Sequence, residues 1–230
     1  MKVNYKKLII GTGFIAQNFK KYSNYIRKNN MVIYAAGISK STEENTANLK
    51  KEIRRFEKFC KFNDKRVIYI STYSIGDKQR SNKKYVKNKI EIEKIIKKKL
   101  TDFLIIRLPE IVGSNNNQNT LTNFFYNNIS KNLPFFIYKN TKRNLIDIDD
   151  AISKCIQITK KIKTQNKTVN LLNEKFYTPL QIANTFEKIL KKNAIYKIKK
   201  ITYSKWTLRN NFYLKTNKNY FKKILNKYYN

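Results

Sequence analysis

The sequence predicts an α/β fold built on a doubly wound parallel sheet. Apolar runs at residues 7–10, 31–35, 67–70 and 103–106 indicate buried strands, and segments with helical periodicity separate them. Alternating strands and helices are typical of parallel sheets, because each crossover helix carries the chain back to the same end of the sheet. A third sign is the turn after the first run, which contains two glycines.

This turn has the spacing G-x-G-x-x-A, from Gly11 through Gly13 to Ala16. A strand that enters a helix through such a turn lets backbone amides approach a pyrophosphate at the positive end of the helix. Tight strand-to-helix turns also use glycine for structural reasons alone, so both interpretations are open at this point. If the turn binds a nucleotide, the predicted sheet is the core of a Rossmann-like fold.

Crossover helices are predicted between the strands. The second of them opens on residues 41–44, Ser-Thr-Glu-Glu, whose capping-box spacing indicates a helix of about five turns. The apolar positions with helical spacing are Phe19, Tyr22 and Ile26 in the first helix, Leu49, Ile53, Phe56 and Cys60 in the second, and Ile92, Ile95, Ile96 and Leu100 in the third.

Beyond the core, predicted at residues 1–110, the pattern changes to a smaller α+β lobe at 111–230. A polar loop at 114–119 precedes short strands near 135–138 and 145–148, where the parallel sheet is expected to have ended. Because no low-complexity linker intervenes, the lobe is expected to pack directly on the core as one compact unit.

Helices are predicted in the lobe as well. One runs through Phe124 and Phe125, and Asp149 is predicted to cap the next. Thr178 and Pro179 supply the N-cap and first-turn proline of another.

Composition excludes several function classes. The chain has no histidine, which excludes Ser-His-Asp and Cys-His chemistry and imidazole metal sites, so acid and base work falls to Tyr, Lys, Asp or Glu. Cys60 and Cys155 are far apart and form no C-x-x-C, so we predict neither a disulfide nor a metal site. No apolar run approaches the roughly twenty residues of a membrane span, and no secretory signal is present, so we expect a cytoplasmic protein.

The formal net charge of +35 has two interpretations, a bias toward lysine over the whole surface or a polyanionic partner. Lysines occur in every segment, and no helix-turn-helix or aromatic platform accompanies them. Such a surface binds nucleic acid nonspecifically whatever the protein does. We therefore expect no specific nucleic-acid partner.

A hydroxyl-rich strand end and a Tyr/Lys pair carry the candidate chemistry. Residues 71–77, Ser-Thr-Tyr-Ser-Ile-Gly-Asp, follow the third strand, and Tyr85 and Lys89 share one face of the next helix. Chance alone repeats this spacing in so lysine-rich a chain, at Tyr138 with Lys142 and at Tyr196 with Lys200. Only the Tyr85 pair lies one loop beyond a hydroxyl-rich strand end, at the carboxyl edge of the sheet, where ligands bind.

Taken in order, these motifs resemble the extended short-chain dehydrogenase/reductase superfamily, whose NAD-dependent epimerases, dehydratases and ketoreductases act on nucleotide sugars. The resemblance rests on GTGFIA, VIYAAG, VIYISTYSIG, YVKNKIEIE, IIRLPEIVG and RNLIDIDD. Together the motifs cover roughly the first two thirds of the chain, and their order is more specific than any single motif.

The resemblance implies a role for each matching residue. Tyr85 would be the acid/base, Lys89 would lower its pKa and bind the nicotinamide ribose, and Thr72 would bond the reacting oxygen. Arg143 would hold the phosphate of a sugar nucleotide, although an ordinary surface cation is an equal interpretation. Residues that would contact NAD or NADP are Gly11, Gly13, Phe14, Ile15, Ala16, Ala35, Ala36, Gly37, Tyr85, Lys89, Leu108 and Pro109, and those that would contact substrate are Ser74 and Arg143.

The chain departs from the superfamily in its cofactor half. Only fourteen residues separate Ala16 from Met31, where the superfamily inserts a strand, a helix and a strand. That piece carries the carboxylate that binds the adenosine ribose, and the first acidic residue here is Glu43, so the choice between NAD and NADP stays open. Ile10 replaces the first glycine of the extended fingerprint.

The reaction type follows from the residues after Thr72. Dehydratases of the superfamily have an Asp-Glu pair there, whereas this chain has Tyr73 and Ser74, which disfavours dehydration. We therefore predict an NAD(P)-dependent epimerase or ketoreductase acting on a nucleotide sugar in surface polysaccharide or glycan precursor biosynthesis. The superfamily suggests a homodimer through the helix that bears Tyr85. The alternative is a Rossmann-fold NAD(P)-binding protein with little or no catalysis.

Overall fold

The structure, a computed structural model, describes residues 7–38, 44–77, 82–115, 117–162, 166–200 and 208–230. The chain forms two compact units. The first contains the described residues of Met1–Leu108 and Ile152–Leu171 together with residues 208–212, and the second contains the other described residues. The predicted boundary at residue 110 lies close to Leu108, but later segments return to the first unit.

The elements occur in the following order. The first part contains β1 (Ile9–Ile10), α1 (Phe14–Phe19), a 3₁₀ turn (Lys20–Tyr22), α2 (Ser23–Lys28), β2 (Met31–Tyr34), α3 (Thr46–Phe62), β3 (Arg66–Thr72), a 3₁₀ turn (Tyr73–Gly76), α4 (Lys84–Lys99) and β4 (Phe103–Leu108). The chain continues with β5 (Glu110–Val112), α5 (Leu121–Ser130), β6 (Phe135–Lys139), β7 (Arg143–Asp147), α6 (Ile148–Lys161), β8 (Lys167–Asn173), β9 (Phe176–Tyr177), α7 (Pro179–Leu190), β10 (Tyr196–Lys200), β11 (Asn211–Leu214) and α8 (Tyr220–Tyr229).

Within the described residues, a six-stranded sheet has the order β1-β2-β3-β4-β8-β11, and its pairs from β1 to β8 are parallel. The predicted α/β fold with a doubly wound parallel sheet is therefore confirmed. The expectation that the sheet ends after β4 was wrong, because β8 extends it. Asn170 interrupts the apolar run of β8 in the sequence, but its buried side-chain amide donates to Arg209 O at 2.6 Å and to Asn211 Oδ1 at 2.9 Å.

β1 is an edge strand among the described residues, with β2 as its neighbour. The short connection between Ala16 and Met31 forms α1, a 3₁₀ turn and α2, and it adds no strand on the outer side of β1. The cofactor half is therefore shortened, as the sequence predicted.

Gly11 lets the turn after β1 approach the end of β2. Its φ is +135°, and a Cβ there would lie 2.7 Å from Ala35 O. A side chain would both strain this backbone and strike the neighbouring loop, so only glycine fits.

Two predicted helix starts need correction. The helix after residues 41–44 begins at Thr46, and Asn45 caps it by accepting from Ala47 N and Asn48 N; Ser41, Thr42 and Glu43 lie outside the described residues. α6 begins at Ile148, and Asp147 rather than Asp149 accepts the first-turn bond, from Asp149 N at 2.8 Å. Asp147, Asp149 and Asp150 lie close together in the sequence, so the pattern alone did not identify which carboxylate caps the helix. The predicted N-cap Thr178 and first-turn Pro179 are confirmed, and the structure adds a capping box between Thr178 and Gln181.

α3 and α4 cover one face of the sheet. The core between them contains Tyr34, Phe56, Phe59, Tyr69, Ile92 and Ile96. The buried row of α3 is Leu49, Glu52, Phe56 and Phe59, so the predicted row through Ile53 and Cys60 was partly wrong, and both of these side chains are half-buried.

A buried polar cluster fixes α4 to β3 and β4. Glu93 Oε1 accepts from Ser71 Oγ at 2.7 Å and from Arg107 Nε at 2.9 Å, and Glu93 Oε2 lies 2.5 Å from Arg107 Nη2. Because this carboxylate is 4% exposed, these bonds replace the water that it lost on folding. These bonds fix the position of α4 relative to the ends of β3 and β4.

In the second unit, β7 pairs with β5 and β9, and β6 pairs in parallel with β10. Its core includes Phe125, Phe135, Leu145, Ile182 and Phe186. α8 is held by Tyr228 OH, which donates to Asp147 Oδ2 at 2.9 Å, and by Lys227 Nζ, 3.1 Å from the same oxygen. Among the described residues, no helix has the length and apolar character needed to cross a membrane.

We predict that Glu93→Gln lowers the free energy of unfolding by about 3 kcal/mol, because it leaves the Arg107 guanidinium without its counter-charge. The matched control is Glu57→Gln, which breaks the exposed Glu57–Lys99 pair (2.9 Å) and is expected to cost about 1 kcal/mol or less. Urea denaturation measures both. Equal losses in the two variants would contradict the assignment of Glu93 as the anchor of α4.

Candidate active site

The predicted cofactor residues lie at one edge of the first unit. The turn with Gly11 and Gly13 follows β1, residues 35–37 follow β2, and Thr72 ends β3. Since these strands are parallel, their carboxyl ends share an edge of the sheet, which is where open α/β sheets bind ligands.

Thr72 is fixed at the end of β3 by the turn that follows it. Its Oγ1 accepts from Ser74 N at 3.2 Å, and the 3₁₀ turn Tyr73–Gly76 packs against α4. A hydroxyl whose oxygen accepts a backbone bond keeps its own proton for donation to another acceptor. Thr72 and Ser74 are half-buried, whereas Tyr73 is buried.

Tyr85 and Lys89 lie on the first turns of α4. Tyr85 is half-buried and Lys89 is 5% exposed. The Lys89 Nζ lies 5.8 Å from the centre of the Tyr85 ring, within the range of a cation–π contact. The predicted phenol and ammonium are therefore neighbours.

The Lys89 ammonium is held in place by residues of other elements. Its Nζ lies 3.0 Å from Glu52 Oε1 on α3 and 3.4 Å from Tyr69 OH on β3. Gly37 provides the space for it, because a Cβ at Gly37 would lie 2.8 Å from this Nζ. The loop at residues 35–37, which was predicted to contact NAD or NADP, therefore lies directly against the ammonium.

The charge states follow from burial and from these neighbours. Burial acts to lower the pKa of Lys89, but Tyr69, the Glu52 carboxylate and Tyr85 outweigh it and raise this pKa above its ordinary value. Burial also raises the pKa of Tyr69 and of Tyr34, so both phenols are neutral at pH 7. Because the folded-state pKa of Lys89 exceeds the ordinary lysine value of about 10.5, its contribution to stability is complete below pH 10.5 and is lost as the pH rises through the folded-state pKa.

The glycine turn leaves room in front of α1. A Cβ at Gly13 would meet no atom within 4 Å, and Gly13 itself has an ordinary φ of −78°. Phe14 and Ile15 are half-buried and Ala16 is buried against the core. The backbone of this turn is therefore open to a ligand.

The remaining predicted residues are placed separately. Leu108 is the buried last residue of β4, and Pro109 follows it. Arg143 begins β7 in the second unit and is half-buried. Its role at a phosphate, like that of Ser74 at the substrate, stays a prediction.

Sequence reasoning missed Glu52 and Tyr69. The signal for Glu52 was an acidic residue at a helical position between Leu49 and Phe56, where an apolar side chain is expected. Tyr69 lies within an apolar strand, and nothing in the sequence separates it from an ordinary core tyrosine.

A cleft of about 620 Å³ lies at the opposite edge of the sheet, where β2, β3 and β4 begin. Tyr25, Asn30, Met31, Cys60, Arg66 and Asp102 are among the residues that line it. It contains none of the predicted site residues.

No family model matches the sequence, and no curated protein sequence matches it. Solved structures do match. UDP-N-acetylglucosamine 4-epimerase from Bacillus cereus aligns with a TM-score of 0.64 and 19% identity, over 87% of this chain and 88% of that chain. The enzyme WbmH of Bordetella bronchiseptica, solved in complex with NAD⁺, gives 0.63 and 14% over 83% and 68%. RMD from Pseudomonas aeruginosa, complexed with NADPH, gives 0.59 and 12% over 79% and 71%.

At these identities the likeness concerns the fold. This likeness agrees with the ordered motifs, with the parallel sheet and with the position of Tyr85 and Lys89 at the carboxyl edge of that sheet. The protein has the fold of the NAD-dependent nucleotide-sugar epimerases of the short-chain dehydrogenase/reductase superfamily, in a form whose cofactor half is shortened.

Proposed function

We propose that the protein is an NAD(P)-dependent epimerase or ketoreductase that acts on a nucleotide sugar in surface polysaccharide or glycan precursor biosynthesis. The observation that carries the proposal is the Lys89 ammonium, which lies against the loop at Gly37 and 5.8 Å from the Tyr85 ring. The fold neighbours solved with NAD⁺ or NADPH support the same class of cofactor.

The residues present fit a nicotinamide dinucleotide on its pyrophosphate and nicotinamide sides. Gly13 has free space where a side chain would stand, Gly11 lets the turn approach the next loop, and Lys89 offers a charged donor to a ribose hydroxyl. When bound, the nicotinamide supplies hydride acceptance and donation at a sugar carbon.

The chain's own residues supply the proton chemistry. Tyr85 takes the proton from the sugar hydroxyl on oxidation and returns it to the carbonyl oxygen on reduction. The Lys89 ammonium favours the phenolate form of Tyr85, and the Thr72 hydroxyl donates to the same sugar oxygen. An epimerase or a ketoreductase needs no further acid or base, whereas dehydration does. Buried Tyr73 and the neutral Ser74 do not supply one.

The second candidate is an NAD(P)-binding protein with little or no turnover. The observation that favours it is the position of β1 as the edge strand of the described sheet, which leaves the adenosine side of the site without its usual support. Binding of a dinucleotide without turnover of any nucleotide sugar would select this candidate.

We predict that Tyr85→Phe lowers kcat by about 10²- to 10⁴-fold, the contribution typical of general acid–base catalysis, and leaves NAD(P) affinity within about twofold. Candidate nucleotide sugars incubated with each cofactor and separated by chromatography provide the assay. Tyr138→Phe is the matched control, since Tyr138 has the same spacing to Lys142 but is 43% exposed on β6, and it should retain wild-type turnover. Equal activity in the two variants would reject Tyr85 as the acid/base.

We predict that Gly13→Val weakens NAD(P) binding by about tenfold or more, because its side chain fills the free space before α1. The fold should tolerate the change, since the φ of Gly13 is ordinary and no atom lies within 4 Å of the new Cβ. Calorimetric titration with the dinucleotide and a thermal melt measure the two effects. Unchanged affinity in a folded variant would place the dinucleotide elsewhere.

A further inference from the structure

Glu52 is a charged residue in the apolar row of α3. It lies between Leu49 and Phe56, faces the sheet and is 5% exposed. A carboxylate in such surroundings is tolerated only when it is paired and hydrogen-bonded. The contacts of Glu52 therefore indicate its role.

Both carboxylate oxygens of Glu52 contact the candidate site. Oε1 lies 3.0 Å from Lys89 Nζ, and Oε2 accepts from Ile38 N at 3.1 Å. Gly37 lies between them without a side chain, and a Cβ there would also contact Oε1. One carboxylate thus joins the loop after β2 to the lysine of α4.

The ammonium of Lys89 has three N–H groups. Glu52 and Tyr69 accept two of them within the described part of the chain. The third is left for Tyr85 or for a ligand hydroxyl. Glu52 therefore fixes the head group without using all of its donors.

Glu52 also supplies a carboxylate charge that opposes the effect of burial on the pKa of Lys89. A buried lysine without a counter-charge has its pKa lowered by up to about 3–5 units, which would leave a neutral amine near pH 7. The other titratable groups that interact with it are the phenols of Tyr34 on β2, Tyr69 on β3 and Tyr85 on α4. Of the described carboxylates, Glu52 is the one in direct contact with the ammonium.

We propose that Glu52 is a positioning residue of the site, which keeps the Lys89 ammonium charged and fixed against the loop at residues 37–38. The inference rests on the proposed function for its consequence, because the held ammonium serves the dinucleotide and Tyr85.

The test is the pH dependence of NAD⁺ affinity, measured by calorimetry between about pH 7 and pH 10. The wild type should bind equally well across this range. Glu52→Gln should lose about tenfold in affinity per pH unit above a lowered Lys89 pKa, because the neutral amine is a poorer donor. Glu52→Asp keeps the charge and should restore the flat profile.

A folded Glu52→Gln variant with the flat profile of the wild type would overturn the proposal. A merely structural role would lower the stability of the variant, as seen in a urea melt, without changing how its affinity depends on pH. The pH dependence of NAD⁺ affinity thus distinguishes a positioning role of Glu52 from a structural one, whereas a loss of activity would not.

NMR of protein carrying [¹³Cε]lysine tests the charge of Lys89 without any ligand, with its signal assigned by Lys89→Met. In the wild type this signal should not titrate below about pH 10.5. A wild-type titration below pH 9 would overturn the inference even if Glu52→Gln does not fold. If the wild type binds neither NAD⁺ nor NADP⁺, the proposed function fails, whereas the NMR result still decides whether Glu52 holds the charge.

Discussion

The ion pair of Lys89 with Glu52 joins the elements on which the candidate site depends. It links α3 to α4, and through Ile38 N it links both helices to the loop after β2. Two buried charges lose their hydration on folding, and their attraction repays that loss only when the remaining donors and acceptors are satisfied. Tyr69 accepts a second N–H of the ammonium and Ile38 N donates to the carboxylate, which leaves one N–H of Lys89 for Tyr85 or a ligand. This pair, together with Gly37, sets the distance between the loop and the helix that bears Tyr85.

The same logic applies to the other buried acids of this basic chain. With 50 basic and 15 acidic residues, a carboxylate finds a cation easily, and the buried ones occupy junctions between elements. Glu93 joins α4 to β3 and β4 through Ser71 and Arg107, and Asp147 joins β7 to α8 through Lys227. Glu52, Glu93 and Asp147 are thus buried carboxylates that hold helices to neighbouring elements.

The strands of the core were predictable because short continuous apolar runs such as residues 67–70, bounded by polar segments, have few other interpretations. The glycine turn and the Tyr85–Lys89 pair were predictable from their order along the chain. β8 was missed because the side-chain N–H groups of Asn170 donate to backbone and side-chain partners in a distant segment, which local patterns do not encode. The start of α3 was misplaced because Asn45 competes with an equally good cap signal at 41–44.

Glu52 shows the same limit at the site. A sequence pattern assigns an acidic residue on a helix to the solvent face, and only the packing of α3 on α4 turns it toward Lys89. The roles of Arg143 and Ser74 are of another kind, since they depend on a bound substrate and not on contacts within the fold. The sequence therefore predicted that Tyr85 and Lys89 are neighbours, but not that Glu52 and Tyr69 hold the lysine.

The most direct measurement is a double-mutant cycle for the free energy of unfolding with Glu52→Gln, Lys89→Met and the two together. Each single change leaves one buried ionisable group without its partner, either as an unpaired charge or neutralised at a cost in free energy, whereas the double variant leaves neither group. The account predicts a coupling of about 2 kcal/mol or more, with the double variant more stable than at least one single variant. Additive losses within about 0.5 kcal/mol would contradict it, because they would mean that the two charges do not depend on each other.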